Sequence, residues 1–340
     1  MLIGVMHIRK DPTKIAKLYT LAAAAKMEGV DFCYFSPGKV DFENRKIEGY
    51  YYEREWKQKT FPYPDIIINM TGPRTPKQLS VSLRLRKEIP FTESKIHNKN
   101  YIQKLLHDHP IFTNYLPESI VARSEKRVVK FMDKHKRVVL KPSVGCKGQR
   151  IFFITKHNKS YIINYGENEE VMDNLTKQLS EIKLTKYIAQ EFIVSETNEG
   201  LPADFRIHTQ KNEKGKYVIT TIYPRIGDKK NKVSNISQGG YSANIELYLK
   251  NQFKDKWLNI YNNLKVFGLQ ISEYLDEHYN NKLNQLGVDV CIDKSNKLYL
   301  IEVNWRPGLP VLFSDNINHI KNLIKYSIYR VNTNKDDNEI

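Results

Sequence analysis

The segment from Gly287 to Asn304 (GVDVCIDKSNKLYLIEVN) constrains this chain more than any other. Two apolar, β-rich runs flank a polar turn, which is the pattern of a hairpin. With Ser295 and Asn296 at the tip, Lys294 pairs with Lys297 and Asp289 falls opposite Glu302. Asn304 lies two residues further on and shares the face of Glu302. Opposed carboxylates about 5 Å apart repel. In a hairpin that is otherwise apolar, the pair invites a cation. Asp289, Glu302 and Asn304 as oxygen donors suit Mg²⁺, which takes few protein ligands and leaves the rest of its shell to phosphate and water. The plainer reading is two carboxylates turned to solvent on an edge hairpin. Both sit in runs that read as buried, which counts against it.

A second segment suits phosphate. Val138-Val139-Leu140-Lys141-Pro142 reads as a buried strand ending in a lysine, and Ser143-Val144-Gly145-Cys146-Lys147-Gly148 follows before the next strand. Two glycines in such a loop let backbone N–H groups approach phosphate oxygens. No GxxxxGK[ST] precedes a helix, so the loop is not a Walker A motif. An ordinary hairpin turn would explain it equally well without Lys141 and the carboxylate hairpin. Further along, Gln190-Glu191-Phe192-Ile193 closes a strand with a carboxylate beside apolar residues, fit for an adenine-binding hinge. Asp204 and Arg206 share one strand face, where a salt bridge is the plain alternative. Arg225 follows a strand, and Asn235 to Gly240 is a polar glycine loop.

The surrounding pattern gives the organisation. Strands at Leu2 to His7, Val30 to Phe35 and Asp65 to Asn69 alternate with a helix from Thr13 to Glu28 stopped by Gly29, predicting a small open α/β domain. A helix is predicted over 98–117, then strands at 137–140, 151–154, 187–193, 205–210 and 216–223. One long helical stretch runs from Ile245 to about Tyr279, and a last helix from Ile317 to Tyr329. The expected units are 1–95, 96–195 with the phosphate loop, 196–330 with the metal site, and a frayed tail at 331–340.

Composition limits the remaining classes. With 40% hydrophobic and 27% charged residues the chain is ordinary globular material. No stretch approaches the roughly 20 apolar residues of a membrane span. The opening residues read as a strand rather than a signal peptide. Cys33, Cys146 and Cys291 are scattered without a CxxC pair, so neither a disulfide framework nor a zinc site is expected, and a reducing cytoplasm is the simplest address. The formal charge of +16 suits an anionic partner, unless it only reflects a lysine-rich proteome. Nucleic acid is disfavoured, because no binding motif or basic stripe with interleaved aromatics is present.

In order along the chain, these pieces resemble the ATP-grasp superfamily: Lys99 before a helix, Lys141 to Gly148, the Gln190–Ile193 hinge, Asp204 with Arg206, Arg225 ahead of the Asn235 loop, and Asp289 with Glu302-x-Asn304. Each is weak alone; the order carries the resemblance. More closely, the chain is similar over roughly residues 1 to 330 to the YheC/YheD family of spore-coat-associated ATP-grasp proteins, through Gly29 to Pro37, Lys46 to Trp56, and the closing Val303-Asn304-Trp305-Arg306-Pro307-Gly308. Gln149-Arg150 departs from the small residues usual after the glycine loop. The metal and lysine positions also resemble those of glutamate-adding and D-alanine-adding ligases.

The resemblance implies a chain of α/β and α+β parts, an ATP-grasp fold behind an N-terminal open α/β (pre-ATP-grasp) domain. It implies ATP with one or two Mg²⁺ ions, adenine at Gln190–Ile193, phosphates on Lys99, Lys141 and the 143–148 loop, and metal on Asp289, Glu302 and Asn304. Arg225 and Arg306 are the candidates for gripping the transferring phosphoryl group. The implied reaction joins a carboxylate to an amine, an acidic peptide being the partner that the charge suits, docked near Lys229, Lys230 and Lys232. The alternatives are an ATP-binding coat protein without turnover, a kinase releasing a phosphate ester, and a nucleic-acid binder.

Overall fold

A computed structural model describes residues 1–92, 99–143, 151–166, 168–228, 240–280, 282–305, 307–308 and 313–336, with the backbone alone at 99–100, 313–314 and 334–336. Three sheets organise it. In the front sheet Leu2–Met6 lies parallel to both Asp31–Phe35 and Ile66–Asn69. Helix Ala16–Met27 covers one face, setting Leu18, Leu21, Ala22 and Ala25 against Ile3, Val5, Ile66 and Ile68. Gly29 ends that turn at φ +68°, a conformation that favours glycine. A hairpin of Lys46–Glu53 and Glu55–Pro62 extends the sheet and was not foreseen from the sequence. Its outer strand is polar and exposed on both faces over Lys57 to Thr60, so it shows no clean alternation.

The second sheet is antiparallel, in the order Asn168–Met172, Ser160–Tyr165, Phe152–His157, Arg137–Pro142, Tyr187–Glu191, Ser119–Val121. Helix Glu125–His135, also unforeseen, buries Val128, Phe131 and Met132 against it. The third sheet runs Tyr241–Ser242, Tyr217–Ile226, Ala203–Lys211, Gln285–Ile292, Leu298–Asn304, again antiparallel. One face sets Phe205, Ile207, Val288 and Val290 against Ile260, Leu264, Phe267 and Ile271 of helix Trp257–Glu277. The other face is polar and carries the site.

Several expectations change. The helix expected over 98–117 is Lys99–His107 followed by a 3₁₀ turn at Phe112–Tyr115. Pro110 excludes the helical conformation just before it. The stretch from Ile245 is two helices, Ile245–Phe253 and Trp257–Glu277, broken where Lys254 takes φ +47°. The chain expected to fray from Val331 stays helical within Phe313–Asp336. Val331 is buried there with Ile320, Leu323 and Ile324 in the front-domain core, so the last helix ties the chain's end to its beginning. No described helix is long and apolar enough to cross a membrane.

The hairpin turn also differs. Asp293 Oδ1 accepts the N–H groups of Ser295 and Lys297 at 2.9 Å each, and Ile292 pairs with Leu298, one residue out of the expected register. A bulge between Asp289 and Val290 on the pairing with Leu298–Asn304 restores the register, so Asp289 does face Glu302 and Gly287 faces Asn304. A bulge re-aims side chains at the point where a sheet needs it.

Candidate active site

The polar face of the third sheet holds the charged residues singled out in the sequence. Arg206, Asp289 and Glu302 form one cross-strand rung, and Asp204 with Arg225 forms the next. Arg206 grips both oxygens of Asp289, through Nε on Oδ1 and through Nη2 on Oδ2 at 3.0 Å. Arg225 is held by Asp204 in a two-pronged pair, Nε to Oδ1 and Nη2 to Oδ2, both 2.6 Å. The same Nη2 lies 3.2 Å from Asp289 Oδ2. Asp204 and Arg206, adjacent on one face, therefore bond to neighbouring strands and not to each other. Burial opposes the charge on Arg225, but the carboxylates of Asp289 and Asp204 outweigh it and hold its pKa above the ordinary value.

Asn304 Nδ2 donates to Asp289 Oδ2 at 3.3 Å, which leaves its carbonyl oxygen as a possible metal ligand. Among the described residues, no three His, Cys, Asp or Glu side chains converge on one point. A site here is thus two carboxylates and an amide oxygen, a hard donor set that fits Mg²⁺ completed by phosphate and water. A metal bound here would share Asp289 with the two guanidiniums already on it, Arg206 and Arg225.

Gly287 keeps this rung open. A Cβ there would lie 2.8 Å from Pro307 Cβ and 3.2 Å from Arg206 Cδ and Nη1. The Arg206 side chain and the segment after Arg306 therefore pass close over a bare backbone position.

Across a cleft from Glu302 lies the second sheet. Lys141, near the end of strand Arg137–Pro142, pairs across the ladder with Ile188, and its Nζ donates to Gln190 Oε1 at 2.7 Å. Lys141, Gln190 and Glu302 line one cleft together with apolar Ile102, Leu106 and Leu300. The cleft encloses about 540 Å³, part of it open solvent. The sequence reading missed these apolar walls. Ile102 and Leu106 stand four apart on one helix face, a signal that could have placed them.

The hinge residues diverge. Gln190 faces the cleft, while Glu191 turns to the opposite face, 3.6 Å from His135 Nδ1. Phe192 meets Phe153 edge-on at 5.5 Å. Ser143 donates its backbone N–H to Lys186 O at 2.8 Å. The side chain of Lys99, together with Gly145, Lys147, Gly148, Asn235, Arg306, Lys229, Lys230 and Lys232, lies outside the described residues.

Comparison with known proteins gives the family and the fold. A family model described as "YheC/D like ATP-grasp" matches residues 88–329. The endospore coat-associated protein YheD of Bacillus subtilis (strain 168) is 25% identical over 312 residues, covering 86% of this chain and 68% of that protein. The endospore coat-associated protein YheC of the same organism is 22% identical over 304 residues, covering 85% and 84%. Among solved structures, D-cycloserine synthetase DcsG aligns with a TM-score of 0.55 at 12% identity, over 98% of this chain and 99% of that one. The ATP-grasp ligase PsnB complexed with minimal precursor, Mg and ADP aligns with a TM-score of 0.55 at 11% identity, over 95% and 98%. These structural likenesses establish the fold, and with the family match they make this chain a member of the YheC/D-like ATP-grasp family.

Proposed function

We propose that the protein is an ATP- and Mg²⁺-dependent ligase that joins a carboxylate to an amine through an acyl phosphate, releasing ADP. The observation that carries this reading is one cleft lined by the basic, strand-borne Lys141 on one side and on the other by Glu302, which pairs with Asp289 across its hairpin. Phosphoryl transfer asks little covalent chemistry of a protein; positioning and charge neutralisation supply most of the rate.

In this reading adenine lies against the apolar walls by Gln190, and Lys141 holds phosphate oxygens. Asp289, Glu302 and Asn304 hold the metal, one ion or two, whose charge when bound offsets that of the β- and γ-phosphates. Arg225, fixed by Asp204, and Arg206 stand beside the same carboxylate and grip the transferring phosphoryl group as it leaves ADP. Arg306 follows the rung in sequence and is assigned the acyl phosphate. A peptide is a reasonable partner, since PsnB is also solved in complex with precursor peptide PsnA2. The +16 charge favours an acidic one.

The names of the two curated relatives favour a second reading, a coat protein that binds ATP without turnover. The two readings separate on one experiment. ADP release and hydroxylamine trapping of acyl phosphate are measured with MgATP and pools of amino acids and short acidic peptides. The Glu302→Gln variant, which keeps the shape and removes the charge, should lose turnover by at least about 100-fold, consistent with the several kcal/mol ascribed to metal-assisted charge stabilisation. Full activity in that variant sinks the metal assignment. MgATP binding without ADP release in the unmodified protein favours the coat reading.

A further inference from the structure

Helix Glu125–His135 covers the outer face of the second sheet, where Val128, Phe131 and Met132 meet Val138, Leu140 and Ala189. Leu140 and Ala189 alternate along their strands with Lys141 and Gln190, which line the cleft. The helix therefore stands behind the sheet, with the cleft on the far side. Its outward face is basic. Lys126, Arg127, Lys130 and Lys134 are all exposed. Helical spacing gathers them into roughly a third of the circumference, opposite the buried residues, with Lys126, Lys130 and Lys134 repeating at about 6 Å along the axis.

Elsewhere on the surface, helix cations meet acids. Lys250 pairs with Glu246 one turn back, and Glu88 takes both Arg45 and Arg84. On helix Glu125–His135, Lys134 pairs with Glu118, and Asp133 pairs with Lys156 of the neighbouring strand. No described carboxylate pairs with Lys126, Arg127 or Lys130. These three also stand against the local electrostatics. Lys126 and Arg127 are the second and third residues of the helix, at the positive end of its dipole, where anions are favoured. Glu125 shares that first turn but falls on the other side of the helix by spacing. Lys126 and Lys130, then Lys130 and Lys134, are like charges one turn apart and repel. A face that met only water would mix the two signs. An anionic partner turns each of these placements to advantage.

We propose that this face docks an acidic helical segment of another polypeptide, one that presents carboxylates at every fourth residue. Such a segment repeats its charges at about 6 Å, matching Lys126, Lys130 and Lys134. Nucleic acid and lipid fit less well. Among the described residues from 119 to 192 the exposed large apolar side chains are Val121 and Val171. They offer no aromatic platform for unpaired bases and no broad apolar face to enter a lipid surface. The docking surface does not rest on the ligase reading, because it lies outside the cleft and uses none of its residues.

Fluorescence anisotropy tests this on the full chain, with a fluorescein-labelled alanine peptide carrying glutamate at every fourth position. Two variants share one net charge. The first combines Lys126→Gln, Arg127→Gln and Lys130→Gln. The control combines Lys214→Gln, Lys216→Gln and Lys256→Gln, exposed lysines beside the third sheet. The unmodified protein should bind the peptide saturably, and less tightly as salt rises. The helix variant should bind at least about tenfold more weakly, as three exposed charge pairs together allow; the control should stay within twofold. The urea midpoint of the helix variant should hold or rise, since the change relieves repulsion. Absence of saturable binding, equal losses in the two variants, or a lower urea midpoint in the helix variant overturns the proposal. So does tighter binding by the unmodified protein of an oligothymidylate of equal charge, or of phosphatidylserine vesicles, than of the peptide.

Discussion

Lys141 reaches the cleft from the end of an internal strand, with its ammonium 2.7 Å from the Gln190 carboxamide oxygen. A lysine held this way loses little further freedom when it meets phosphate. Hydrogen bonds to charged groups are worth about 1.5–3 kcal/mol, so Lys141→Ala should weaken ATP binding by roughly tenfold to a hundredfold. Gln190→Ala should cost less, because it removes a neutral partner. Isothermal calorimetry on both variants decides the order, and unchanged ATP affinity in Lys141→Ala would place the phosphate contact elsewhere. Arg225 shows what a residue list leaves out. In the sequence it was an arginine after a strand. In the folded chain it is pinned between two carboxylates, one of them a proposed metal ligand.

The elements that build the site depend on close approaches that no hydrophobic pattern displays. Helix Trp257–Glu277 settles on the third sheet at Gly268, where a Cβ would lie 2.5 Å from Ile207 Cγ2. Alanine is the better helix former by about 1 kcal/mol. Overpacking a close-packed core costs about 1–3 kcal/mol, and a contact this short falls toward the upper end. Gly268→Ala should therefore lower stability by about 1–2 kcal/mol, these two terms combined. Urea unfolding is the measurement; a variant as stable as the parent would mean that the helix shifts without penalty. The carboxylate hairpin teaches a related point. Its strands were legible from alternation, but the Asp293 turn moved the register by one residue and the bulge moved it back. The predicted Asp289–Glu302 opposition thus holds through a different route.

At the scale of the molecule, the last helix joins the front domain to the third sheet across a buried polar seam. His208 from the sheet and His319 from the helix are fully buried, with ring centroids 4.9 Å apart. Lys17 of the first helix brings its Nζ to 3.3 Å from His319 Nε2. Burial first, then the charges of Arg206 and Lys17, lowers the His208 pKa to about 3. His319 is likewise lowered, by burial and then by Lys17 and His208. The neutral rings belong to the folded state, so below the unfolded value of about 6.5 the unfolded chain binds the extra protons. Stability is unaffected by these groups above that pH. It falls as pH drops from about 6.5 toward 5, by up to about 1.4 kcal/mol per unit for each histidine. Urea midpoints at pH 7.5, 6.5 and 5.5 should show the loss, and His208→Gln should reduce its slope. A flat profile across that window would rule out the seam as its source.

Chemistry and order were readable along the chain because they are local. Glu302 and Asn304 sit on a two-residue period opposite Asp289 of the same hairpin, and Lys141 ends a short apolar run. The three parallel strands of the front sheet and the first helix followed from periodicity in the same way. Partners were not readable, because pairing is decided by residues distant in sequence. Which carboxylate holds Arg225 and that Arg206 crosses to Asp289 depend on strand order and register within the third sheet, and that the last helix packs on the first depends on how it docks on the front domain. The ends of Leu2–Met6 and Ile66–Asn69 stand apart because these parallel strands send their connections opposite ways. A linear sequence specifies those strands, but the gap between their ends appears only once the sheet has closed.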